Sequence, residues 1–456
     1  MWLSGVIRER MNHLREADFL KWLYPGMHIK RWLALLMLGV AIMGLGIAYI
    51  LREAYVSYTF PSFIYYLTLQ FIPRFWRGIM FMAASAGLTL FALWHLNSSL
   101  LSAVLPRKRD SSLVSIIWGK RYLRRGPKIV AIGGGTGLSI LLRGLKEYTG
   151  NLMAIVTVAD DGGSSGRLRR ELGILPPGDV RNCIAALADA EPLRTKRFQY
   201  RFADGSDLAG HSFGNLFIVA MSGVLGNFEE AIKQTGRVLA VRGQIVPSTL
   251  VDVTLEAKTE DEETIQGEAK ISESSSRIKE VSLQPPNPQA CPEAIRAILE
   301  ADMIVVGPGS LLTSVLPNLL VDGIKRAIKA SSAVKVYVCN VATQPGETDG
   351  FKVADHVGVL ESHVGKGLFR YVLANSNIED GLPETWRSQP VQVNGEDSLR
   401  GHLILADVVS EENRYHHDSK KLGGALIRLH YDRNHLDQTL AAEEEAAEDK
   451  VASAVD

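Results

Sequence analysis

The chain has 456 residues, 46% of them hydrophobic, and its 50 Lys and Arg balance 50 Asp and Glu. The zero net charge hides a division: residues 1–128 hold 17 basic against 5 acidic side chains, leaving 33 against 45 in the remainder. The acidic remainder gives no reason to expect a nucleic-acid partner. Cys183, Cys291 and Cys339 show no C-x-x-C spacing, which speaks for a reducing compartment and against a zinc site.

From the N-terminus, residues 1–31 read as a cytoplasmic leader. Two uncharged apolar runs follow, Trp32 to Leu51 and Gly78 to Leu105, each long enough for a bilayer core of about 30 Å. Trp32, Tyr49, Tyr55, Trp76 and Trp94 sit near their edges, where amphipathic rings suit the membrane interface. A transmembrane hairpin of two helices over 32–105 is therefore predicted, in preference to two core helices or a cleaved signal peptide. Lys30 and Arg31 before the first run and Arg107, Lys108 and Arg109 after the second place both ends in the cytoplasm. The connection from Tyr55 to Pro73 reads as an interfacial or re-entrant segment rather than a third span, which would separate the termini. This predicts a multi-pass protein of the plasma membrane with lipid contacts through 32–105, a basic linker over 106–128, and the rest of the chain in the cytoplasm.

The stretch Lys128 to Ile132 has the apolar run of a buried strand, and Leu138 to Tyr148 has helical spacing. Between them lies Gly133-Gly134-Gly135-Thr136-Gly137, at a helix N-terminus. Unpaired backbone N–H groups and the helix dipole there favour an anion, and absent side chains let a phosphate approach. The run departs from G-x-G-x-x-G at Leu138 and lacks the Gly-Lys-Ser/Thr of a Walker loop, so a plain tight turn is the competing reading. A second strand, Ala154 to Val158, ends in Asp160 and Asp161, 23 and 24 residues past Gly137, near where a dinucleotide fold places its ribose-binding acid. Gly162, Gly163, Ser164, Ser165 and Arg167 continue that turn, whose alternative is a solvated Asx turn.

Further along, Pro176 to Asn182 precedes an Ala-rich helix, with Asp179 as a possible N-cap and Arg181 and Asn182 at the helix entrance. His211 and Asn215 stand one helical turn apart. Residues 251–283 turn polar and partly alternate, as a β-hairpin excursion or a surface insertion would. Asp302 to Ser310 is again strand, Gly turn and helix start, with Gly309 and Ser310 at the turn. Lys335 to Asn340 is a strand delivering Asn340, Thr343, Gln344, Glu347 and Asp349 into a loop. Several strand ends carrying glycines and short polar residues predict one crevice at the carboxyl edge of a doubly wound, mostly parallel, Rossmann-like α/β sheet over 129–436. Residues 437–456 read as an acidic tail.

GGGTGL at 133–138, DDGGSSGRLR at 160–169, PPGDVRN at 176–182, HSFGNL at 211–216, GPGS at 307–310 and NVATQPGETDG at 340–350 resemble the YvcK-type gluconeogenesis factors. The resemblance implies binding of UDP-N-acetylglucosamine and kinship with 2-phospho-L-lactate transferase. It further implies that Gly133 to Gly137 hold or flank the diphosphate while Asp160, Asp161, Asn182, His211 and Asn340 line the pocket. Leu312 departs from the family, which usually has Tyr after GPGS, so an aromatic ligand contact is either missing or supplied elsewhere.

Two functions stay open on this reading. One is a membrane-tethered nucleotide-sugar sensor linked to carbon metabolism, cell shape and peptidoglycan synthesis through a cell-envelope regulatory partner. The other is a transferase moving a phosphorylated group from a nucleoside diphosphate donor, with Mg²⁺ held by Asp160 and Asp161, or one of these as base. No covalent cofactor is expected, and a homo-oligomer is compatible with either. A nicotinamide oxidoreductase is disfavoured by the altered glycine pattern.

Overall fold

The computed structural model describes residues 29–57, 61–67, 69, 71–104, 123–189, 192–203, 205, 207–274, 276–378, 387–393 and 403–432. The expected leader up to residue 28, the linker from 106 to 122 and the tail 437–456 lie outside the described residues. The chain divides into two compact units, Met1–Tyr122 and Leu123–Asp456.

In the first unit both apolar runs are helical, as α1 (Ile29–Ser57) and α3 (Arg74–Val104), with the short α2 (Ser62–Leu67) between them. Leu38, Ile42, Met43 and Ile50 on α1 and Phe81, Met82, Leu88 and Phe91 on α3 are exposed. Among the described residues no helix is long and apolar enough to cross a membrane. The expected two-span arrangement therefore has no support there. At six residues α2 is too short for a third span.

In the second unit the described strands run β1 (Ile129–Gly133), β2 (Leu152–Val156), β3 (Gln244–Pro247), β4 (Thr254–Thr259), β5 (Thr264–Gln266), β6 (Ile278–Gln284), β7 (Met303–Val306), β8 (Val334–Val338), β9 (Tyr371–Asn375) and β10 (Leu403–Ala406). A seven-stranded sheet has the order β10-β9-β8-β7-β1-β2-β3, and each of its pairs is parallel. Every residue of β1, β7 and β9 is buried, which is why these strands read as unbroken apolar runs rather than alternating ones. From β1 the order moves outward to β2 and β3, then returns to β7 on the opposite flank of β1. That reversal makes the junction of β1 and β7 a topological switch point, with its crevice at the carboxyl ends of the strands.

Around the crevice stand α4 (Gly135–Leu145), α5 (Gly163–Leu172), α6 (Gly178–Leu187) and α7 (Phe213–Leu225). Leu138, Leu141, Leu142 and Leu145 of α4 pack with Ile129 and Ile132 of β1, Ile155 of β2 and Ile184 and Leu187 of α6 in the core. Each such side chain contributes about 1.5–3 kcal/mol on burial, so α4 holds its N-terminus over β1 firmly.

The polar stretch 251–283 forms a separate antiparallel sheet, β5-β4-β6, together with α8 (Glu268–Glu273). Its first and last parts are strands that pair from Thr254 beside Gln284 to Thr259 beside Ile278. Glu268 to Glu273, expected to alternate as a strand, is helical instead. Gly267 at φ +101° ends β5, and the Ala269 N–H donates to Asp161 Oδ1 at 2.9 Å, starting a helical turn.

Candidate functional site

The glycine turn lies at the switch point, and its glycines are needed for different reasons. Gly135 has φ +62°, a left-handed conformation that favours glycine, and opens α4. A Cβ on Gly134 would lie 2.5 Å from Asp179 Oδ2 and 2.8 Å from Thr157 Cγ2. A Cβ on Gly137 would lie 2.7 Å from the Pro308 carbonyl carbon and 2.9 Å from the Gly309 nitrogen. The turn after β1 is thus pressed against the turn after β7, and the glycines serve that contact as much as any ligand.

Between these turns opens a cavity of about 220 Å³. Gly134, Gly135, Thr136 and Gly137 line one side, Gly309, Ser310, Asn340 and Gln344 another, all expected from sequence. Gly133, the last residue of β1, is fully buried behind them. Ile140, Pro308, Ser314, Val341, Ala342, Tyr415, His416 and His417 complete the lining and were not expected. The segment 415–417 follows β10, far from every glycine motif, and no local pattern marks it.

Several expected polar residues are committed to protein contacts. Asn340 clamps the turn after β7, accepting from Gly309 N at 3.1 Å and donating to Gly309 O at 2.9 Å. Ser310 donates to Glu347 Oε1 at 2.6 Å, and Leu312 N donates to the same oxygen at 2.5 Å. Burial raises the Glu347 carboxyl above the usual range. Thr343 is buried and exchanges hydrogen bonds with Gln389, Thr343 N to Gln389 O at 2.8 Å and Gln389 N to Thr343 Oγ1 at 2.9 Å. Asp349 accepts from Gly346 N at 2.6 Å.

The acids after β2 diverge. Asp161 faces α8 and accepts from Ala269 N, so it anchors the small sheet rather than joining Asp160 in a pair. Asp160 accepts from Gly162 N at 3.0 Å, and burial raises its carboxyl. Asp179 is not an N-cap: α6 starts at Gly178, with Pro177 as its cap residue and no side-chain cap bond. Its carboxylate instead reaches the glycine turn and accepts from the Gly135 N–H. Burial, and then the charge of Asp160, push Asp179 up to about 7. Glu268 of α8 is likewise pushed up to about 7, by burial and then by Asp160, Asp179 and Asp161. Sequence reasoning missed Asp179 and Glu268 as site members because a cap and a strand position explained them locally.

Gly162, the cap residue of α5, and Gly163, at φ +46°, turn the chain into that helix. Ser165 hydrogen-bonds the Asp160 carboxyl. Buried Ser164 lies with its Oγ 2.9 Å from His211 Nδ1 and accepts from Asn215 Nδ2 at 3.0 Å, so His211, Ser164 and Asn215 do meet. Burial, then the charge of Arg167, lowers the His211 pKa, which favours the neutral ring. Arg167 itself donates to Ala209 O at 2.5 Å. Arg181 Nη2 donates to Asn182 Oδ1 at 2.7 Å, tying those two together. Asn215 Oδ1 and Arg181 Nε are buried with no hydrogen-bond partner among the described residues, whereas buried polar atoms are as a rule paired with protein, water or a ligand.

Oxygen donors suit Mg²⁺, and crowded, raised carboxyls such as Asp160, Asp179 and Glu268 are stabilised by a cation. Of the expected pair, Asp161 is engaged by the Ala269 N–H of α8. Among the described residues, the trio of His, Cys, Asp or Glu ligand atoms close enough to share an ion is Glu229, Cys291 and Glu293, with Lys233 already paired to both carboxylates.

Residues 129–408 match the family model for 2-phospho-L-lactate transferase CofD. A putative gluconeogenesis factor of Nostoc is 44% identical over 446 residues, covering 95% of this chain and 97% of that protein. The gluconeogenesis factor of Bacillus subtilis is 47% identical over 310 residues, covering 66% of this chain and 98% of its own. A crystal structure of a UPF0052 family protein from Bacillus halodurans, 43% identical, superimposes with a TM-score of 0.63 over 66% of this chain and 99% of that one.

Proposed function

The chain belongs to the gluconeogenesis factor family, with a CofD-type domain, and from that premise we propose that it binds a nucleotide sugar, UDP-N-acetylglucosamine, in the switch-point crevice. It acts on this reading as a regulatory protein that couples the ligand's level to carbon metabolism, cell shape and cell-envelope synthesis through a protein partner. The observation that carries the proposal is the meeting of two glycine turns, Gly133 to Gly137 and Gly307 to Gly309, at the N-terminus of α4 beside a cavity. Backbone N–H groups and the helix dipole there suit a diphosphate. Calorimetric titration of the whole chain with UDP-N-acetylglucosamine, UDP, GDP and N-acetylglucosamine 1-phosphate, with and without Mg²⁺, tests it. Failure of every nucleotide to bind refutes it.

A second reading, a transferase of phosphorus-containing groups, draws on the acids. Asp160, with Asp179 or Glu268, would hold Mg²⁺, although the three carboxylates do not converge on one point among the described residues; when bound, the ion would offset diphosphate charge and stabilise a leaving group. Asp179, proton-bound up to about pH 7, sits against the Gly135 N–H, where it can also take up or give a proton. Product analysis of the same titration mixtures separates the two readings: turnover selects the enzyme, unchanged ligand the sensor.

The exposed apolar side chains of α1 and α3 support attachment of the first unit to a lipid bilayer, and the finer form of this proposal is two spans with both ends inside. Carbonate extraction of membranes and labelling of single cysteines placed near Ser62 and Ser112 test both forms. Release by carbonate removes the spans, and recovery in the soluble fraction removes the attachment.

A further inference from the structure

The cavity between the glycine turns combines polar and apolar walls. Its polar lining residues are largely engaged: Asn340 with Gly309, and Ser310 with Thr313 and Glu347. Beside the glycine-turn backbone, Thr136, Ser314 and His416, it offers a guest a continuous apolar and aromatic side from Ile140, Pro308, Val341, Ala342 and Tyr415. A polyhydroxylated sugar needs several donors and acceptors, and buried in such walls its hydroxyls would go unmatched. A base needs mainly a π-face to stack on.

Tyr415 is held ready for that role. Its backbone N–H donates to Asn413 Oδ1 at 3.0 Å, its hydroxyl is hydrogen-bonded by Ser388 and Gln344, and the next-but-one residue, His417, contacts the Cys339 carbonyl at the end of β8, Nε2 to O at 3.1 Å. The ring is therefore fixed at both ends before any ligand arrives, so little side-chain entropy is lost on stacking. Position 312 cannot serve instead. Leu312 is 4% exposed, its backbone is fixed by Glu347, and its side chain belongs to the core rather than the cavity lining. Two of the buried polar atoms without a partner among the described residues, Asn215 Oδ1 and Arg181 Nε, lie on the β2 side, near Ser164, His211 and Asp160.

We propose that Tyr415 is the stacking wall for the nucleobase, so that the base lies on the β7–β8 side of the switch point and the sugar on the β2 side. This inference rests on the nucleotide-sugar reading and gives it an orientation opposite to the dinucleotide arrangement, in which the acid after the second strand takes the nucleoside ribose. Tyr415 is on this view a specificity-determining residue that touches ligand.

The experiment is calorimetric titration of the full chain and of Tyr415→Phe, Tyr415→Ala and Tyr415→Trp with UMP, UDP, UDP-N-acetylglucosamine and N-acetylglucosamine 1-phosphate. Tyr415→Phe should keep most of the affinity. Tyr415→Ala should weaken the three uridine ligands by a common factor of about five to 150, the range for losing one base–aromatic stack. Its binding of N-acetylglucosamine 1-phosphate should match that of the wild type. Tyr415→Trp, which keeps a stacking face, should show fluorescence quenched by UMP and not by the sugar phosphate. That holds as a readout even if the alanine variant fails to fold. Equal affinity of wild type and Tyr415→Ala for UDP, or quenching by the sugar phosphate alone, overturns the inference and leaves the proposed function standing. A wild-type chain that binds no nucleotide overturns both.

Discussion

Replacing Gly137 by alanine sets two effects of opposite sign against each other. Within a helix the substitution should stabilise by about 1 kcal/mol, because alanine loses less backbone freedom than glycine. Here the new methyl would sit 2.7 Å from the Pro308 carbonyl carbon and 2.9 Å from the Gly309 nitrogen, and nearer still to the Pro308 oxygen. All three atoms are backbone, so no side-chain rotation relieves the clash and the turns after β1 and β7 must separate. Overpacking costs about 1–3 kcal/mol, and a clash with three backbone atoms belongs to the upper part of that range, about 2–3 kcal/mol, which outweighs the propensity gain and leaves a net loss of about 1–2 kcal/mol. For a domain of this size that lowers the thermal midpoint by on the order of 2–8 °C. Gly223→Ala is the matched control: its Cβ meets nothing within 4 Å, so α7 should gain up to about 1 kcal/mol. Urea unfolding of the two variants and the wild type, with the slopes checked for equality, measures both. A Gly137→Ala midpoint at or above that of the wild type, with Gly223→Ala behaving as stated, would falsify the close contact of the two turns.

Other expectations follow from the acids and the first unit. The folded chain keeps the Asp179 proton to about pH 7, whereas the ordinary value is 3.8, so this group makes stability fall as pH rises between those values. Asp179→Asn, which keeps an acceptor for the Gly135 N–H, should shrink the loss of urea midpoint between pH 5 and pH 8; an undiminished loss assigns the effect to other groups. If Asp160, Asp179 and Glu268 take Mg²⁺, the ion should raise the midpoint more at pH 8 than at pH 5, and Asp160→Asn should erase the difference. Asp161→Ala should cost about 1 kcal/mol as a lost helix cap on α8 while Asp161→Asn costs little, and equal destabilisation by both would point to a role for the charge. Deleting residues 1–105 should move the protein from the membrane pellet to the supernatant with ligand affinity intact, and a deletion form that still sediments with membranes contradicts attachment through α1 and α3.

Much of the parallel sheet was legible in the chain because its strands are buried on both faces. Ile129 to Ile132, Met303 to Val306 and Val336 to Val338 stand out as apolar runs bounded by glycine or polar residues, and a strand followed by a glycine turn and a helix leaves few topologies. The meeting of His211, Ser164 and Asn215 was foreshadowed for a similar reason, since two of them lie one helical turn apart. Local pattern could not decide which atoms the acids face. Asp161 and Asp160 are neighbours in the chain, yet one caps a helix more than a hundred residues away and the other joins Asp179 and Glu268. Nor could it show that Gly137 is required by Pro308, that Asn340 is used up on Gly309, or that Tyr415 walls the cavity. Periodicity and turn chemistry depend on neighbours a few positions apart, so the chain itself determined elements and their order. The site depends on strand ends brought together from positions 134 to 417, and that proximity exists only once β7 has returned to lie beside β1.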